Sequence, residues 1–306
     1  MSEIMNAVPL ILVLCSASMI LAQTTFSVAK GRPVTFQNGR FLSADYAPDI
    51  HAGFAVHDLN GKLLFDDLVR IPEASKVQIF SIAASPSGSV AVSGMAWDRA
   101  GLGNPFLALY TESISLQRVI RMGDFVPRTV VYSADGRIFA FGPERGMDGT
   151  WLRTGHCLRI WNQEGTEVSR GLPRTGICTE ESCFPFEDVP VVAAGRESIA
   201  IYIPEVNRIF RLSTKTREFT SIDGLEVWKL RQPKVMTAFQ NDVFVTQHQE
   251  IKAGEAFGIV SIVDDGKFVR PLRMTRHSDM IKGSDGNRLL VYRSPEKDFI
   301  WLSDLR

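Results

Sequence analysis

The sequence carries no net charge, because 34 Lys and Arg balance 34 Asp and Glu over 306 residues. A neutral chain has no strong field to attract nucleic acid or an anionic membrane surface, so neither is expected as a partner. Helical periodicity of any length and low-complexity linkers are also missing, while Pro and Gly are scattered at turn positions. These absences favour a single β-rich domain.

The short motifs of common catalysts are missing too. There is no Gly-x-Ser-x-Gly elbow, no His-Glu-x-x-His zinc motif and no phosphate-binding glycine loop. Gly101-Leu102-Gly103 lacks the strand-to-helix context that such a loop requires. No catalytic residue, bound metal or other cofactor is therefore predicted from the motifs.

Long apolar runs are confined to the N-terminus. Ala7 to Ala22 is apolar or small, which predicts a signal peptide over residues 1–22 with cleavage before Gln23. The run of roughly 16 residues is short for a spanning helix, and an uncleaved anchor is the alternative. A lipidated Cys15 is a second alternative, disfavoured because Leu14 stands where such sites prefer a small residue. The mature chain is expected to be secreted or periplasmic, without a membrane span.

A repeated phrase organises the rest of the chain. Residues 79–94 contain an apolar strand, a polar turn at Ser85–Gly88, and a second strand of small and β-branched residues. Asn-Gly and Asp-Gly pairs between such runs are hairpin turns, because these residues tolerate positive φ. Steps between copies are roughly 45 to 59 residues, a period typical of solenoids and propellers. Six copies align on their turns, at positions 39, 88, 136, 195, 241 and 286.

Each copy is followed by a second apolar run and often a second turn, as in Phe54–His57 through Asn60-Gly61 into Leu63–Phe65. Four short strands form a small antiparallel sheet that cannot bury both faces alone, whereas six such sheets packed radially bury their faces against one another. The pattern predicts an all-β fold, a six-bladed β-propeller of four-stranded antiparallel blades, as one domain over residues 23–306.

Closure of the ring requires one more strand than the last copy supplies. That copy has strands at Met280–Gly283, Arg288–Tyr292 and Phe299–Leu302, and no fourth run follows. Thr24–Lys30 is a spare strand-like run ahead of the first copy, so we expect this N-terminal strand to complete the last blade and close the ring. The alternative is that both ends fray.

The two faces of such a ring differ. First-to-second strand turns are minimal, whereas second-to-third strand connections are predicted to be long at Ala44–Gly53, Gly94–Pro105, Gly142–His156 and Gln247–Phe257. Binding sites favour elaborated loops on a rigid scaffold, so a ligand-binding face is predicted there, unless its residues are merely solvated. The candidate contacts are Asp45, Tyr46, Trp97, Asp98, Arg99, Arg145, Trp151, Arg153 and His156.

Cysteine is scarce. Cys178 and Cys183 lie in a polar insertion between the third and fourth copies, and export makes a disulfide between them plausible, with Cys157 as a competing partner. A zinc site would need a fourth ligand and paired spacing.

Histidine offers one further arrangement for a metal. Three histidines fall on predicted loops of alternate blades and would hold a metal only if those loops converge. They are His51, His156 and His248.

The turn phrases Ser-Pro-Ser-Gly (85–88), Ser-Ala-Asp-Gly (133–136) and Gly-Ser-Asp-Gly (283–286), flanked by apolar strands, resemble the bacterial six-bladed propeller group that includes NHL-like and TolB-like domains. The resemblance covers most of residues 24–306 through a loose hairpin signature. The metal ligands of gluconolactonase-like propellers have no matching positions, so that activity is not implied.

Three functions compete at this point. The first is an exported, non-catalytic binding or scaffolding module that recognises a protein, peptide or glycan through its long-loop face, as a monomer. The second is a metal-dependent hydrolase, lactonase or lyase with a divalent cation at the central funnel. The third is a structural domain of a larger envelope assembly. Acidic or His side chains at the funnel mouth would favour the enzyme, and a funnel lined by Val, Phe and Ser would favour the binding module.

Overall fold

The protein is built from 23 β-strands in the described residues of a computed structural model. The structure describes residues 34–47, 49, 52–146, 148–178, 183, 185–186, 188, 190–222, 233–239, 243–252, 255–264, 267–273, 279–293 and 298–303. No helix among these residues has the length and hydrophobicity needed to cross a membrane. Two single-turn 3-10 helices cover Arg174–Gly176 and Pro204–Val206.

The first three blades each contain four antiparallel strands that follow one another in sequence. Blade 1 consists of β1 (Val34–Gln37), β2 (Arg40–Ala44), β3 (Gly53–His57) and β4 (Leu63–Leu68). Blade 2 consists of β5 (Lys76–Ala84), β6 (Val90–Trp97), β7 (Gly103–Tyr110) and β8 (Leu116–Arg121). Blade 3 consists of β9 (Thr129–Tyr132), β10 (Ile138–Phe141), β11 (His156–Trp161) and β12 (Glu167–Pro173).

The last three blades follow the same order, and the sixth has three described strands. Blade 4 consists of β13 (Val191–Ala194), β14 (Ser198–Ile203), β15 (Arg208–Ser213) and β16 (Phe219–Ile222). Blade 5 consists of β17 (Pro233–Phe239), β18 (Val243–Lys252), β19 (Glu255–Asp264) and β20 (Lys267–Arg273). Blade 6 consists of β21 (Asp279–Ser284), β22 (Leu289–Arg293) and β23 (Asp298–Leu302). The six-bladed propeller agrees with the prediction from the repeats, and the three described strands of the last blade are the three that its sequence copy predicted.

Six hydrophobic clusters fill the six interfaces between successive blades. Neighbouring residues of one strand serve different clusters: Ala91 packs toward blade 3 and Val92 toward blade 1. Because both faces of the middle strands of a blade are buried, strands such as β10 and β14 are continuous apolar runs, whereas outer strands such as β4 and β8 are largely exposed. Burial on both faces therefore explains why the repeats are so apolar and why each blade depends on its neighbours.

The ring closes where blade 6 meets blade 1. Strand β1 pairs in parallel with β21 through Phe36 and Gly283, which joins the two blades into one seven-stranded sheet. A Cβ at Gly283 would overlap the carbonyl oxygen of Phe36, so only glycine allows this approach. Trp301 packs edge-on against the Phe36 ring with centroids 5.2 Å apart. The proposed closing strand at Thr24–Lys30 lies outside the described residues.

Two of the four predicted long loops are wrong. Strands β6 and β7 pair from Val90–Tyr110 to Trp97–Gly103, which leaves only 98–102 as a turn. Strands β18 and β19 pair out to Lys252–Glu255. In both cases the polar or glycine-containing segment continues the antiparallel ladder beyond the body of the blade, since backbone pairing does not need apolar side chains. The connections at 45–52 and 142–155 do lie between strands as predicted.

Candidate functional site: the central channel

The six inner strands surround a central channel of about 1300 Å³. Consecutive inner strands contact one another around the ring, β5 with β9, β9 with β13, β13 with β17, β17 with β21 and β21 with β1. Hydrogen bonds from Asn38 Nδ2 to the Ala84 carbonyl oxygen, 2.7 Å, and from the Ala84 amide to Gln37 Oε1, 3.2 Å, link blades 1 and 2 at the same depth. The channel is therefore enclosed by all six blades.

The wall of the channel extends from the first-to-second strand turns to the opposite face, which we call the long-loop face. Asn38 and Gly286 line the turn end, whereas Tyr46 and Pro204 line the long-loop end. Between the ends, small apolar side chains and hydroxyls dominate. Lining residues of the inner strands include Thr35, Phe80, Ser81, Val131, Val192, Val235 and Thr237.

One cation interrupts this neutral wall. Among the channel-lining residues of the inner strands whose side chains the structure describes, Lys282 alone is charged. Its ammonium lies 5.8 Å from the centre of the Tyr292 ring, and its burial lowers its pKa. The other charged lining residues sit in connections: Asp188 toward the long-loop end, and Arg196 and Asp285 at the turn end.

Thr35 precedes the strand-pairing partner of the residue that follows this lysine. Phe36 and Gly283 are direct partners in the parallel pair of β1 and β21, and Thr35 and Lys282 are the residues before them. Lys282 is the extra residue of a β-bulge, since the register of β21 with β22 shifts between Ile281 and Gly283. Thr35 Oγ1 is buried and has no hydrogen-bond partner. The blade 6–blade 1 junction therefore contains a buried hydroxyl without a hydrogen-bond partner and a cation in the channel wall.

Of the nine predicted contacts on the long-loop face, Tyr46 is the one that lines the channel in the described structure. Its carbonyl oxygen accepts a hydrogen bond from Gln78 Nε2 at 3.5 Å, and burial raises the pKa of its phenol to about 12. Asp45 instead accepts a hydrogen bond from the Gly53 amide at 3.2 Å. The role of these residues in binding stays a prediction.

The predicted contacts in blade 2 shape its own hairpin. Asp98 Oδ1 accepts hydrogen bonds from the amides of Ala100 and Leu102, both at 2.9 Å, and so caps the turn. The ammonium of Lys76 lies over the ring of Trp97, 5.5 Å from the centre of the ring. Arg99 is exposed at the tip.

The predicted contacts in blade 3 hold the 142–155 connection in place. Arg145 donates from Nε to the Gly123 carbonyl oxygen at 3.1 Å and from Nη2 to that of Gly103 at 3.0 Å, which ties blade 3 to blade 2. Trp151 forms an isolated bridge with Arg145. The Arg153 carbonyl oxygen accepts from Arg174 at 3.3 Å. These residues form a rim around blade 3 and do not line the channel.

A buried arginine that the sequence reasoning missed lies beneath this rim. Arg159 on β11 is 3% exposed, and its Nη2 donates to Asp124 Oδ2 and to Glu144 Oε1, both at 2.7 Å. Its guanidinium stacks 4.8 Å from the centre of the Phe125 ring. The predicted contact His156 joins the same group, since its amide donates to Glu144 Oε2 at 2.9 Å. A lone arginine within an apolar strand was the available sequence signal.

The predicted disulfide between Cys178 and Cys183 is confirmed, with 5.7 Å between the Cα atoms. Cys157 is a free, buried thiol that packs in the same cluster of blades 3 and 4. Burial raises the pKa of Cys157 to about 12. Cys157 is therefore not the competing partner in this structure.

Metal ligands are not brought together in the part of the chain that the structure describes, where no group of three or more His, Cys, Asp or Glu is placed to hold an ion. Of the three loop histidines, His156 is 45% exposed at its side chain. His51 and the side chain of His248 lie outside the described residues.

No protein-family model matches this sequence, and comparison with curated proteins found no match. Solved structures share the fold. A Hadza microbial sialidase aligns over 89% of this chain and 65% of its own, with a TM-score of 0.54 and 10% identity. The Pyrococcus horikoshii acylaminoacyl peptidase aligns over 90% of this chain and 45% of its own, with a TM-score of 0.51 and 13% identity. The chain thus spans less than two thirds of either protein, and at these identities the likeness shows the fold alone.

Proposed function

We propose that this protein is an exported, non-catalytic binding module that recognises a macromolecular partner at the long-loop face and in the central channel. The observation that carries the proposal is the channel itself: all six blades enclose it, and valine, phenylalanine and hydroxyl side chains line its wall. Concave, mostly apolar surfaces with a few polar groups are the usual form of a binding site.

The donor set argues for binding over hydrolysis. A metal-dependent hydrolase would require acidic or imidazole ligands that converge at one mouth. Among the described residues, the two acids of the channel wall, Asp188 and Asp285, belong to opposite ends, and Asp285 is paired with Arg288 at 2.8 Å. No observation here favours the hydrolase, lactonase or lyase.

Several parts of this proposal rest on sequence alone. Export rests on the predicted signal at residues 1–22, and the disulfide is consistent with an oxidising compartment. Membership of the NHL-like or TolB-like propeller group and a monomeric state likewise remain predictions.

A variant that fills the channel tests the proposal. Thr237→Trp places a large side chain in the channel, whereas Thr220→Trp places the same residue on the exposed outer strand of blade 4. Both variants and the wild type would be screened on arrays of immobilised peptides and of oligosaccharides, after circular dichroism has shown that each is folded. We expect the wild type and Thr220→Trp to share ligands that Thr237→Trp loses.

Two results would contradict the proposal. One is a set of ligands that all three proteins bind equally, which would place recognition away from the channel. The other is turnover of lactone or ester substrates by the wild type that stops when a chelator removes a metal, which would restore the hydrolase hypothesis.

A further inference from the structure

We propose that the channel binds an extended acidic segment of a partner protein and that a carboxylate of this segment contacts the ammonium of Lys282. The inference rests on the proposed function and specifies its ligand. It starts from a charge that no described carboxylate neutralises.

Lys282 is a partly buried cation for which the described structure shows no carboxylate partner. Its ammonium makes a cation–π contact with Tyr292, 5.8 Å from the centre of the ring. Burying a charge without a partner is costly, and proteins normally pair or expose such groups. The lowered pKa of Lys282 reflects this burial. A carboxylate delivered by a ligand would supply the missing counter-charge in a site partly removed from water, where charge-assisted hydrogen bonds are strong.

Two hydroxyl groups line the channel from the strands on either side of β21. Thr35 precedes the β1 residue that pairs with Gly283, and its buried Oγ1 has no partner. Thr237 lines the channel from β17, the inner strand on the other side of β21. A hydroxyl can donate to a carboxylate oxygen, so the wall offers an ammonium and hydroxyl donors at one depth.

The size and charge of the channel select an acidic peptide over other anions. Its volume of about 1300 Å³ exceeds the roughly 300–1,000 Å³ of ordinary small-molecule sites. A single strand-borne cation suits an isolated carboxylate, whereas nucleic acid and other polyanions require several cations along their path. The apolar stretches formed by Val192 and Val235 would pack against uncharged side chains of the same segment.

Selection from a peptide library tests this assignment. A phage-displayed library of flexible peptides would be panned on the wild type, Lys282→Met and Lys62→Met. The peptides have about twelve residues, which as extended chains are long enough to cross one blade. Lys62 is exposed on the turn between β3 and β4 and is the matched control. We expect the wild type and Lys62→Met to enrich peptides with Asp or Glu at one fixed position, and Lys282→Met to lose that preference.

Affinity measurements then quantify the contact. For an enriched peptide, Lys282→Met should weaken binding about 30-fold or more, and changing the selected Glu of the peptide to Gln should do the same with the wild-type protein. The Gln peptide keeps the test valid if the protein variant fails to fold. Thr35→Val, which removes only the hydroxyl, should weaken binding about 5- to 10-fold.

The outcomes separate this inference from the proposed function. Enriched peptides that lack a fixed acid and still fail to bind Thr237→Trp would overturn the role of Lys282 and leave the binding module intact. Enrichment by Lys282→Met of the same acidic peptides would also overturn it. Free glutarate that binds as tightly as the peptide would show a small-carboxylate site instead. If no peptide is enriched, the assignment of a peptide ligand is wrong, and oligosaccharide binding decides whether the binding module stands.

Discussion

Two cations contrast a region of this propeller whose charges are paired with a region where a charge has no described counter-ion. Arg159 lies under the rim of blade 3, where Asp124 and Glu144 each accept a hydrogen bond from it at 2.7 Å and Phe125 covers its face. Lys282 lies in the channel wall, its ammonium 5.8 Å from the centre of the Tyr292 ring, and no described carboxylate pairs with it. Arginine with partners from its own chain stabilises a loop, while lysine without them is available to a ligand.

This contrast supports the proposed binding site better than the exposure of the rim residues does. The rim residues that the sequence singled out are mostly engaged in holding the rim, through Asp98 as a turn cap and Arg145 as a link between blades. A residue whose hydrogen bonds are used within its own loop has less to offer a partner. The channel wall retains Lys282 and the Thr35 hydroxyl, for which the described residues provide no carboxylate and no hydrogen-bond partner, respectively.

The largest expected effect comes from removing the arginine. Arg159→Met leaves Glu144, whose side chain is 7% exposed, buried without its main counter-charge, so the free energy of unfolding should fall by about 3–5 kcal/mol. Urea denaturation measures this value. Arg170→Met is the matched control: Arg170 is 45% exposed and approaches the same carboxylates at 3.5 and 3.8 Å, so its loss should cost no more than about 1 kcal/mol. Equal losses would show that Arg159 is not the centre of the group.

Removing the lysine should raise the free energy of unfolding instead of lowering it. Because burial disfavours its charged form, Lys282→Met should raise the free energy of unfolding by about 0.5–1 kcal/mol at neutral pH, although the same change weakens ligand binding. The stability curve of Lys62→Met should lie within about 0.5 kcal/mol of the wild type. A loss of stability in Lys282→Met alone would mean that the ammonium already has a partner in the folded chain, and the comparison of the two cations would fail.

The repeats made the blades predictable from the sequence, but they left the orientation of Lys282 hidden. Asn-Gly and Asp-Gly turns mark the blades because few other residues adopt positive φ, as Asn38 and Gly39 do at 47° and 77°. The pairing of Cys178 with Cys183 followed from their proximity in sequence. The orientation of Lys282 could not be read, because strands with two buried faces show no alternation, and its neighbour Thr35 is 247 residues away along the chain.

The loop predictions at the two extended hairpins were wrong for a related reason. Residues 94–105 and 247–257 contain glycine and polar side chains, which usually indicate loops, but the ladder of backbone hydrogen bonds continues through them. The nine rim residues were chosen partly from such segments. Sequence therefore located the face that carries long connections at blades 1 and 3, and only Tyr46 among its candidates reaches the channel wall.

A smaller effect should appear in the pH dependence of the Arg159 group. The hydrogen bond from Arg159 holds the pKa of Asp124 below its ordinary value of 3.8. A carboxyl group with a lowered folded-state pKa stabilises the fold above its ordinary pKa, and this contribution is lost as the pH falls through the folded-state value. Asp124 is 54% exposed, so screening limits the contribution to less than about 1 kcal/mol.

Asp124→Asn measures that contribution. The variant should be slightly less stable than the wild type at pH 7, and the two unfolding curves should converge as the pH is lowered below about 3.8. Asp285→Asn provides a control outside the group, since Asp285 pairs with Arg288 at the turn end of the channel. A difference between Asp124→Asn and the wild type that persists unchanged at low pH would mean that the carboxylate charge is not what stabilises this site.

The smallest effect on the folded protein is expected at Cys157, which reports on the Arg159 side of the comparison. Cys157 lies two residues before Arg159 on β11, and burial raises its pKa to about 12, so at pH 8 the folded protein holds almost no thiolate. Iodoacetamide, which reacts with thiolate, should leave the folded wild type unmodified and, in a chain that begins at Gln23 and so lacks Cys15, label one cysteine after denaturation without reductant, because Cys178 and Cys183 are bonded to each other. The label is counted by mass spectrometry of the intact mature chain.

Arg159→Met should label faster than the wild type in its native buffer because local opening of β11 exposes the thiol, whereas Lys282→Met, on the far side of the ring, should not. Equal labelling rates in the two variants would show that the arginine and the lysine stabilise the same cooperative unit, and the division between a structural blade 3 rim and a ligand-binding channel would have to be given up.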